Sequence, residues 1–567
     1  MSTRGILVSY AGYPYTFNSL MPDNGLANLA GALLCAGHET LILDYGTVEN
    51  IRKIVPKEVS SEAKRAFMSM ARKLEAGEEL GEDEMGPLAS LDRKVAELAD
   101  RHCTQVAEEI CHRIERFKPH FVGFKLWNGD GFSGSIKIAE EVKTKYKNVR
   151  IFAGGPHVDI FGGNIYRVTD VFDCLAYGEG ENTILQLAEF ARGRLPLNEV
   201  SNVIFKHDSD TVTTARCERP SDLNTLPLPC YEEAVYPAMR GNNKLKIVVL
   251  DESRGCPFAC HFCIHPFKSG RGVRPKTAKR IVDEMRRVIE QTGTRAFRYA
   301  GSAAPPELAK EIGDVVIREG LNVQYAGFAN FLNAVPEYYP LLRASGCRSL
   351  AFGMESGSEL ILTKAMGKPI KLEKMRRAIK ASKNAGIFTV VGIIFPAPFE
   401  TQETEEETLA FLRETRPDSA LVLFPAVYPR TKWATETEKF GFAFDETEYI
   451  NAAMNYKVKT LFPMDFWDDL PYSLSGRGFR SIMNETARFT RILEGERILT
   501  SVSDDFVLIA DLGGYRGEEK KLRDLGRLWF FTGDADRIQE LVDTVNSNAT
   551  APVAREDSGP HKGSSIC

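Results

Sequence analysis

The sequence predicts an α/β protein in three parts: a doubly wound N-terminal domain, a partial (βα)6 barrel and an α-rich C-terminal cap. Three observations predict it. Short apolar runs alternate with stretches of helical length, which argues parallel sheets covered by helices. The alternation occurs in two separate series, one within residues 1–195 and one within 246–430. The 567 residues also exceed what one hydrophobic core organises, so two or three domains are expected. With 43% hydrophobic and 26% charged residues, the composition is that of an ordered globular chain.

Residues 5–10 (GILVSY) form an apolar run fit for a buried strand. Residues 25–36 then have helical length, with Gly37 placed to cap the end. Further strands are expected at 40–43, 120–124, 149–153 and 174–177, and helices at 135–146 and 183–192. Residues 48–116, polar and rich in Ala, Glu and Lys, read as an inserted helical hairpin or lid. Residues 196–245 read as a linker. Within it 203–206 and 211–214 flank Asp208-Ser209-Asp210 like a small hairpin, and Leu226-Pro227-Leu228-Pro229-Cys230 breaks regularity.

The second series places strands at 246–250, 296–299, 323–326, 349–353, 388–394 and 420–424. Ile281, Val282, Met285, Val288 and Ile289 put one apolar stripe on the helix between the first two. Beyond about 425 the alternation is lost, and 431–555 is expected to cap the barrel. Its Asp, Tyr and Trp residues up to about 500 are expected to contribute to a substrate pocket, while 556–567 reads as a flexible tail.

The charge balance, 72 basic against 77 acidic residues for a net −5, gives no phosphate-tracking surface and argues against nucleic acid as partner. No window approaches the roughly 20 apolar residues of a membrane span, and the start lacks a signal-peptide apolar region, so a cytoplasmic protein is expected. Eleven cysteines, scattered except for one tight group, are not laid out as a disulfide framework.

That group is Arg254-Gly255-Cys256-Pro257-Phe258-Ala259-Cys260-His261-Phe262-Cys263, directly after a strand. Three thiolates at CxxxCxxC spacing bind three irons of a 4Fe-4S cube and leave the fourth open to a chelating substrate. By spacing alone, a Cys3His zinc site completed by His261 or His265 is the alternative.

Over roughly residues 1–435 the chain resembles the cobalamin-dependent radical S-adenosylmethionine (SAM) enzymes. The resemblance rests on the CxxxCxxC loop; on Gly353-Met354-Glu355-Ser356-Gly357-Ser358 at the fourth strand; and on the fifth strand with Pro396-Ala397-Pro398-Phe399-Glu400-Thr401. It includes Tyr428-Pro429-Arg430-Thr431 after the sixth. It implies a flavodoxin-like cobalamin-binding domain ahead of a radical SAM barrel, with Cys256, Cys260 and Cys263 holding the cluster. The implied SAM contacts are Phe262 on adenine, Ala300, Gly301 and Ser302 on the methionine amine, Glu355, Ser356 and Gly357 on the methionine and ribose, and Gly392, Ile394 and Phe395 on adenine. The segment ending at Ser302 departs from relatives that carry acidic residues there.

Gly154, Gly155, Pro156 and His157 after one strand, and Tyr177, Gly178, Glu179 and Gly180 after another, match the family's cobalamin domain; paired glycines let backbone approach a bulky ligand. No Asp-x-His-x-x-Gly occurs, so base-off cobalamin without a histidine ligand is expected, with Lys125 or Trp127 facing the lower side of the corrin.

The resemblance implies methyl transfer from methylcobalamin to an unactivated carbon of a small-molecule or peptide substrate, with electrons from a flavodoxin or ferredoxin. Oxidative cyclisation or rearrangement with the same cofactors, and a non-enzymatic corrinoid or zinc carrier, are the alternatives.

Overall fold

A computed structural model describes residues 2–75, 82–208, 210–216, 219–301, 304–457 and 467–552. The tail expected at 556–567 lies outside them.

The first sheet has seven strands: β1 (Arg4–Ser9), β2 (Glu39–Asp44), β3 (Phe121–Lys125), β4 (Arg150–Gly154), β5 (Cys174–Ala176), β6 (Val203–His207) and β7 (Asp210–Thr213). Their order is β2-β1-β3-β4-β5-β6-β7. The first five pair in parallel, and β6 and β7 are added through antiparallel pairings. The order 2-1-3-4-5 is that of a flavodoxin-like sheet, whose ligands bind outside the carboxyl ends of β1 and β3. The helix Asn24–Cys35 starts on Asp23, whose carboxylate accepts from the Leu26 N–H at 3.0 Å. It ends as expected before Gly37, whose φ is 77°.

Two expectations change here. The hairpin at 203–214 is an edge of the first sheet, and the stretch after it is embedded in the core. Gly31 abuts the Leu228 carbonyl so closely that a Cβ would come within 2.0 Å, and Tyr231 and Tyr236 are fully buried. The expected insertion is helical, over Val48–Ile54, Lys57–Glu75 and Glu82–Phe117. Only its earlier part reaches away from the sheet: Val59, Ala63 and Leu91 pack with Trp529 and Phe530 of the C-terminal helices. Cys103, Val106, Ile110 and Ile114 lie in the first sheet's own core. The end of the long helix is therefore the ordinary crossover between β2 and β3.

The second sheet is wholly parallel, its strands Val248–Leu250, Ala296–Tyr299, Gln324–Ala329, Cys347–Glu355, Phe388–Ile394 and Ser419–Leu423 lying side by side in chain order. The expected stripe Ile281, Val282, Met285 and Val288 is buried against it, each side chain contributing about 1.5–3 kcal/mol. A seventh strand, Leu499–Thr500, joins the far edge from the C-terminal region. Helix Asp504–Leu512 follows it and packs on Ala296 and Ala326 near the strand starts. Arg298 donates to Asp504 at 2.8 and 3.1 Å across that contact. The aromatics beyond 425 that show no sequence period, among them Trp433, Tyr449, Trp467, Tyr472 and Phe479, form one irregular core with Met366 and Ile394. Among the described residues, no helix is long and apolar enough to cross a membrane.

Candidate functional site

The cysteine loop leaves the first barrel strand through a narrow neck. Arg254 and Arg274 pair as antiparallel backbone, and the Cys256 N–H donates to the Gly270 carbonyl at 3.0 Å. Gly255, at φ 88°, lies so close to the Gly272 carbonyl that a Cβ would come within 2.0 Å, so only glycine fits. Within the loop the His261 N–H donates to the Met366 carbonyl at 2.8 Å and the His265 N–H to the Cys263 Sγ at 3.4 Å. Cys256, Cys260 and Cys263 are all half-buried. Burial pushes the Cys260 thiol up to about 11, with the Cys263 and Cys256 thiols adding to the shift and the Lys368 ammonium opposing it. Among the described residues no three His, Cys, Asp or Glu side chains converge on a point where one ion would sit. A cube takes one thiolate per iron, so three thiols on one loop can hold three of its corners.

Around the loop, the expected SAM residues separate into those that face it and those that do not. Phe262 lies 5.6 Å from the Trp433 ring and packs on the same apolar cluster as Ile394. Gly392 has only the Phe352 carbonyl, at 3.8 Å, within 4 Å of where a Cβ would stand. Glu355 takes a left-handed φ of 67°, a conformation held only where surroundings over-determine it. Its carboxylate is 3.0 Å from the Lys368 ammonium, which also donates to the Gly353 carbonyl at 2.6 Å. Lys368 has no signal in the sequence, where it is one of four lysines within residues 364–374.

Three groups of expected residues are engaged within the chain. The Ala300 and Gly301 N–H groups donate to Glu252 at 3.0–3.1 Å, which leaves acceptors, not these donors, to meet an amine; Ser302 lies outside the described residues. Glu252, missed in the sequence, is the carboxylate nearest that segment, and burial raises it to about 7. Ser356 and Gly357 are buried under helix Gln402–Thr415 and bond Thr408 at 3.0 Å each. The Phe395 ring stacks on Phe489 at 4.2 Å, turned toward the helix Phe479–Gly495.

At the carboxyl edge of the first sheet, Lys125 and Trp127 stand at the β1/β3 switch point. The Lys125 ammonium is 2.6 Å from Asp23 and 4.1 Å from the Trp127 ring centre, and Trp127 Nε1 donates to Ser9 Oγ at 3.1 Å. They line a cavity of about 380 Å³ that extends to Val249 and Arg298 of the barrel. Gly154 accepts from the Leu126 N–H at 2.9 Å, Gly155 has φ 96° with Lys125 beside it, and Pro156 opens the helix Pro156–Phe161. Backbone glycine at this edge suits a broad ligand such as a corrin.

Of the other residues of these loops, His157, Glu179 and Gly180 are engaged within the chain. The His157 ring is buried between Phe132 and Phe161, each at 4.7 Å, and burial lowers it to about 4. Gly180 is pressed by Leu29, 2.9 Å from where a Cβ would stand. Glu179 is engaged by arginines of the cysteine loop's neck. Tyr177 donates to the Thr214 carbonyl at 2.8 Å. With Gly178 it borders a larger cavity of about 880 Å³, also lined by Asp159, Phe267, Arg430 and Tyr449. Asp159, unremarked in the sequence, accepts from the Gly178 N–H at 2.6 Å; burial raises its carboxyl to about 6.

Comparison with known families matches residues 88–188 to the B12 binding domain and residues 253–412 to the Radical SAM superfamily. The chain carries both domains of the cobalamin-dependent radical SAM enzymes. The reading as a non-enzymatic carrier is thereby set aside. This enzyme is 24% identical to an uncharacterized methyltransferase of Pyrococcus horikoshii, over 57% of this chain and 70% of that one. It is 25% identical to the anaerobic magnesium-protoporphyrin IX monomethyl ester cyclase of Rubrivivax gelatinosus, over 79% and 80%. Its fold is that of the radical SAM methyltransferase TsrM of Kitasatospora setae, solved with cobalamin and a [4Fe-4S] cluster bound. The TM-score is 0.62 at 15% identity, covering 93% of this chain and 99% of that one.

Proposed function

We propose that this enzyme methylates an unactivated carbon of a small-molecule or peptide substrate, with Cys256, Cys260 and Cys263 holding a 4Fe-4S cluster and the β1/β3 edge holding base-off cobalamin. The observation that carries the reading is that both cavities lie between the carboxyl edge of the first sheet and elements of the barrel or its cap, where a substrate would have to lie to meet groups held by both domains. When bound, the cluster and SAM supply a 5′-deoxyadenosyl radical, and cobalamin carries the methyl group.

The chain's own part is to place and to shield. Phe262 and Ile394 bound the adenine space left open at Gly392, and the Lys368–Glu355 pair presents charge to the amino acid end of SAM. Lys125, committed to Asp23, and Trp127 would border the bound cobalamin. The substrate sits in the 880 Å³ cavity, beside Phe267 and Tyr449. Electrons come from a flavodoxin or ferredoxin.

The cyclase relative supports a second reading, with the same cofactors and an oxidised or cyclised product. The test needs no substrate: protein reconstituted with iron, sulfide and cobalamin is reduced and given methyl-labelled SAM. Label retained on the corrinoid with release of S-adenosylhomocysteine is the expected result; 5′-deoxyadenosine alone favours the cyclase reading.

A further inference from the structure

The carboxylate of Glu179, in the turn after β5, sits among three guanidinium groups. Arg254 Nη1 and Arg274 Nη1 each donate to its Oε2 at 3.1 Å, Arg274 Nη2 donates to Oε1, and Arg219 Nε lies 3.8 Å from Oε1. The Arg254 and Glu179 side chains are only 12% exposed and that of Arg274 14%. In such surroundings a satisfied pair holds firmly, and a partner left alone is costly. Arg254 has other carboxylates, Glu181 at 2.6 Å and Asp251 at 2.7 Å. Arg274 does not: its other acceptors among the described residues are the Pro220 and Ser269 carbonyls.

Arg254 and Arg274 are the two sides of the cysteine loop's neck, paired as backbone, and Arg254 stands two residues before Cys256. The first sheet thus grips the barrel's cysteine loop at its base, through the residue that the glycine-rich motif suggested for the corrin.

We propose that Glu179 is a positioning residue: it fixes the neck of the cysteine loop against the end of β5 and so sets the separation between cluster and corrin. This rests on the cofactor reading above. It matters because a misplacement of about 1 Å can cost about a hundredfold in rate.

The test compares wild type, Glu179→Gln and Glu179→Asp by two measurements. The first, on protein reconstituted with iron, sulfide and hydroxocobalamin, is the magnetic interaction between the reduced cluster and cob(II)alamin in electron paramagnetic resonance. The second is hydrogen exchange over 254–256 and 270–276 in protein without cofactors. The Gln variant is expected to keep its iron and cobalt, to show a changed and broadened interaction, and to exchange at the neck about tenfold faster; the Asp variant falls between.

Unchanged interaction and exchange would overturn the proposal. So would loss of cobalt with iron retained, which returns Glu179 to the corrin. A wild type that binds no cobalt defeats the cofactor reading instead, and the exchange comparison still decides whether the clasp exists. Should the Gln variant fail to fold, Arg274→Lys, which keeps the charge and loses the two-pronged contact, replaces it in both measurements.

Discussion

The barrel and the first sheet present their ligands in opposite ways. On the barrel, chemistry sits in side chains: three half-buried thiols on a loop pinned by backbone hydrogen bonds, and a Lys368–Glu355 pair beside them. At the edge of the first sheet the polar side chains of the glycine motifs turn away, His157 into the core and Glu179 onto arginines. What remains is backbone, Lys125, Trp127 and space. A cluster must be gripped by particular atoms, so the sequence that grips it is specific. A broad macrocycle is accommodated by what is missing, so a glycine pattern locates its site without naming its contacts.

The comparison can be broken most sharply at the thiols. Replacing Cys256, Cys260 and Cys263 together by Ala is expected to take iron from about four per chain to none and to abolish SAM cleavage. Cobalamin content, governed by the other sheet, should stay near wild type; iron and cobalt analysis of one preparation reads both.

Lys368→Met comes next. It leaves the Glu355 carboxylate buried without its cation, at a cost of about 3–5 kcal/mol, seen as a lower unfolding midpoint. Lys368→Met combined with Glu355→Gln should recover most of that stability and none of the SAM affinity measured by calorimetry. Recovery of both would make the pair purely structural.

His157 tests the claim that the first sheet's motif residues are core. Burial lowers its pKa from 6.5 to about 4, so between those values the unfolded chain binds a proton that the folded chain refuses. Its contribution is complete above about 6.5 and is lost as pH falls toward 4, amounting to at most about 3 kcal/mol. His157→Phe keeps a ring between Phe132 and Phe161 and should move the acid unfolding midpoint to lower pH. A midpoint that stays put would place the histidine's titration elsewhere.

The smallest effect is expected at Trp127. Its replacement by Ala removes the Lys125 cation–π contact and the bond to Ser9, for about a tenfold loss of cobalamin affinity. Unchanged affinity and absorption spectrum would leave the first sheet's site to backbone alone.

Most of the strand series was legible because parallel strands buried on both faces read as continuous apolar runs. All six expected barrel strands overlap observed ones, and the cysteine loop was visible from spacing alone. What was not legible depends on distant partners. Leu499–Thr500 is two residues long and is a strand only because Ser419–Ala420 lies beside it. The residues taken for a linker are core because Gly31 admits Leu228. Glu252 and Lys368 acquire meaning only when Gly301 and Glu355 are brought against them. Phe395 was placed on the correct strand, but the side to which its ring turns is set by Phe489.

The late strand and the helix behind it also carry a consequence for biosynthesis. Domains tend to fold as the chain emerges, N-terminal parts first, at about 5–20 residues per second. Here the barrel's last edge and the carboxylates that meet Arg298 belong to residues 499–512, long after the sixth strand has left the ribosome. For several seconds the nascent barrel has an open floor and an unpaired strand edge, the kind of transiently exposed surface that chaperones cover.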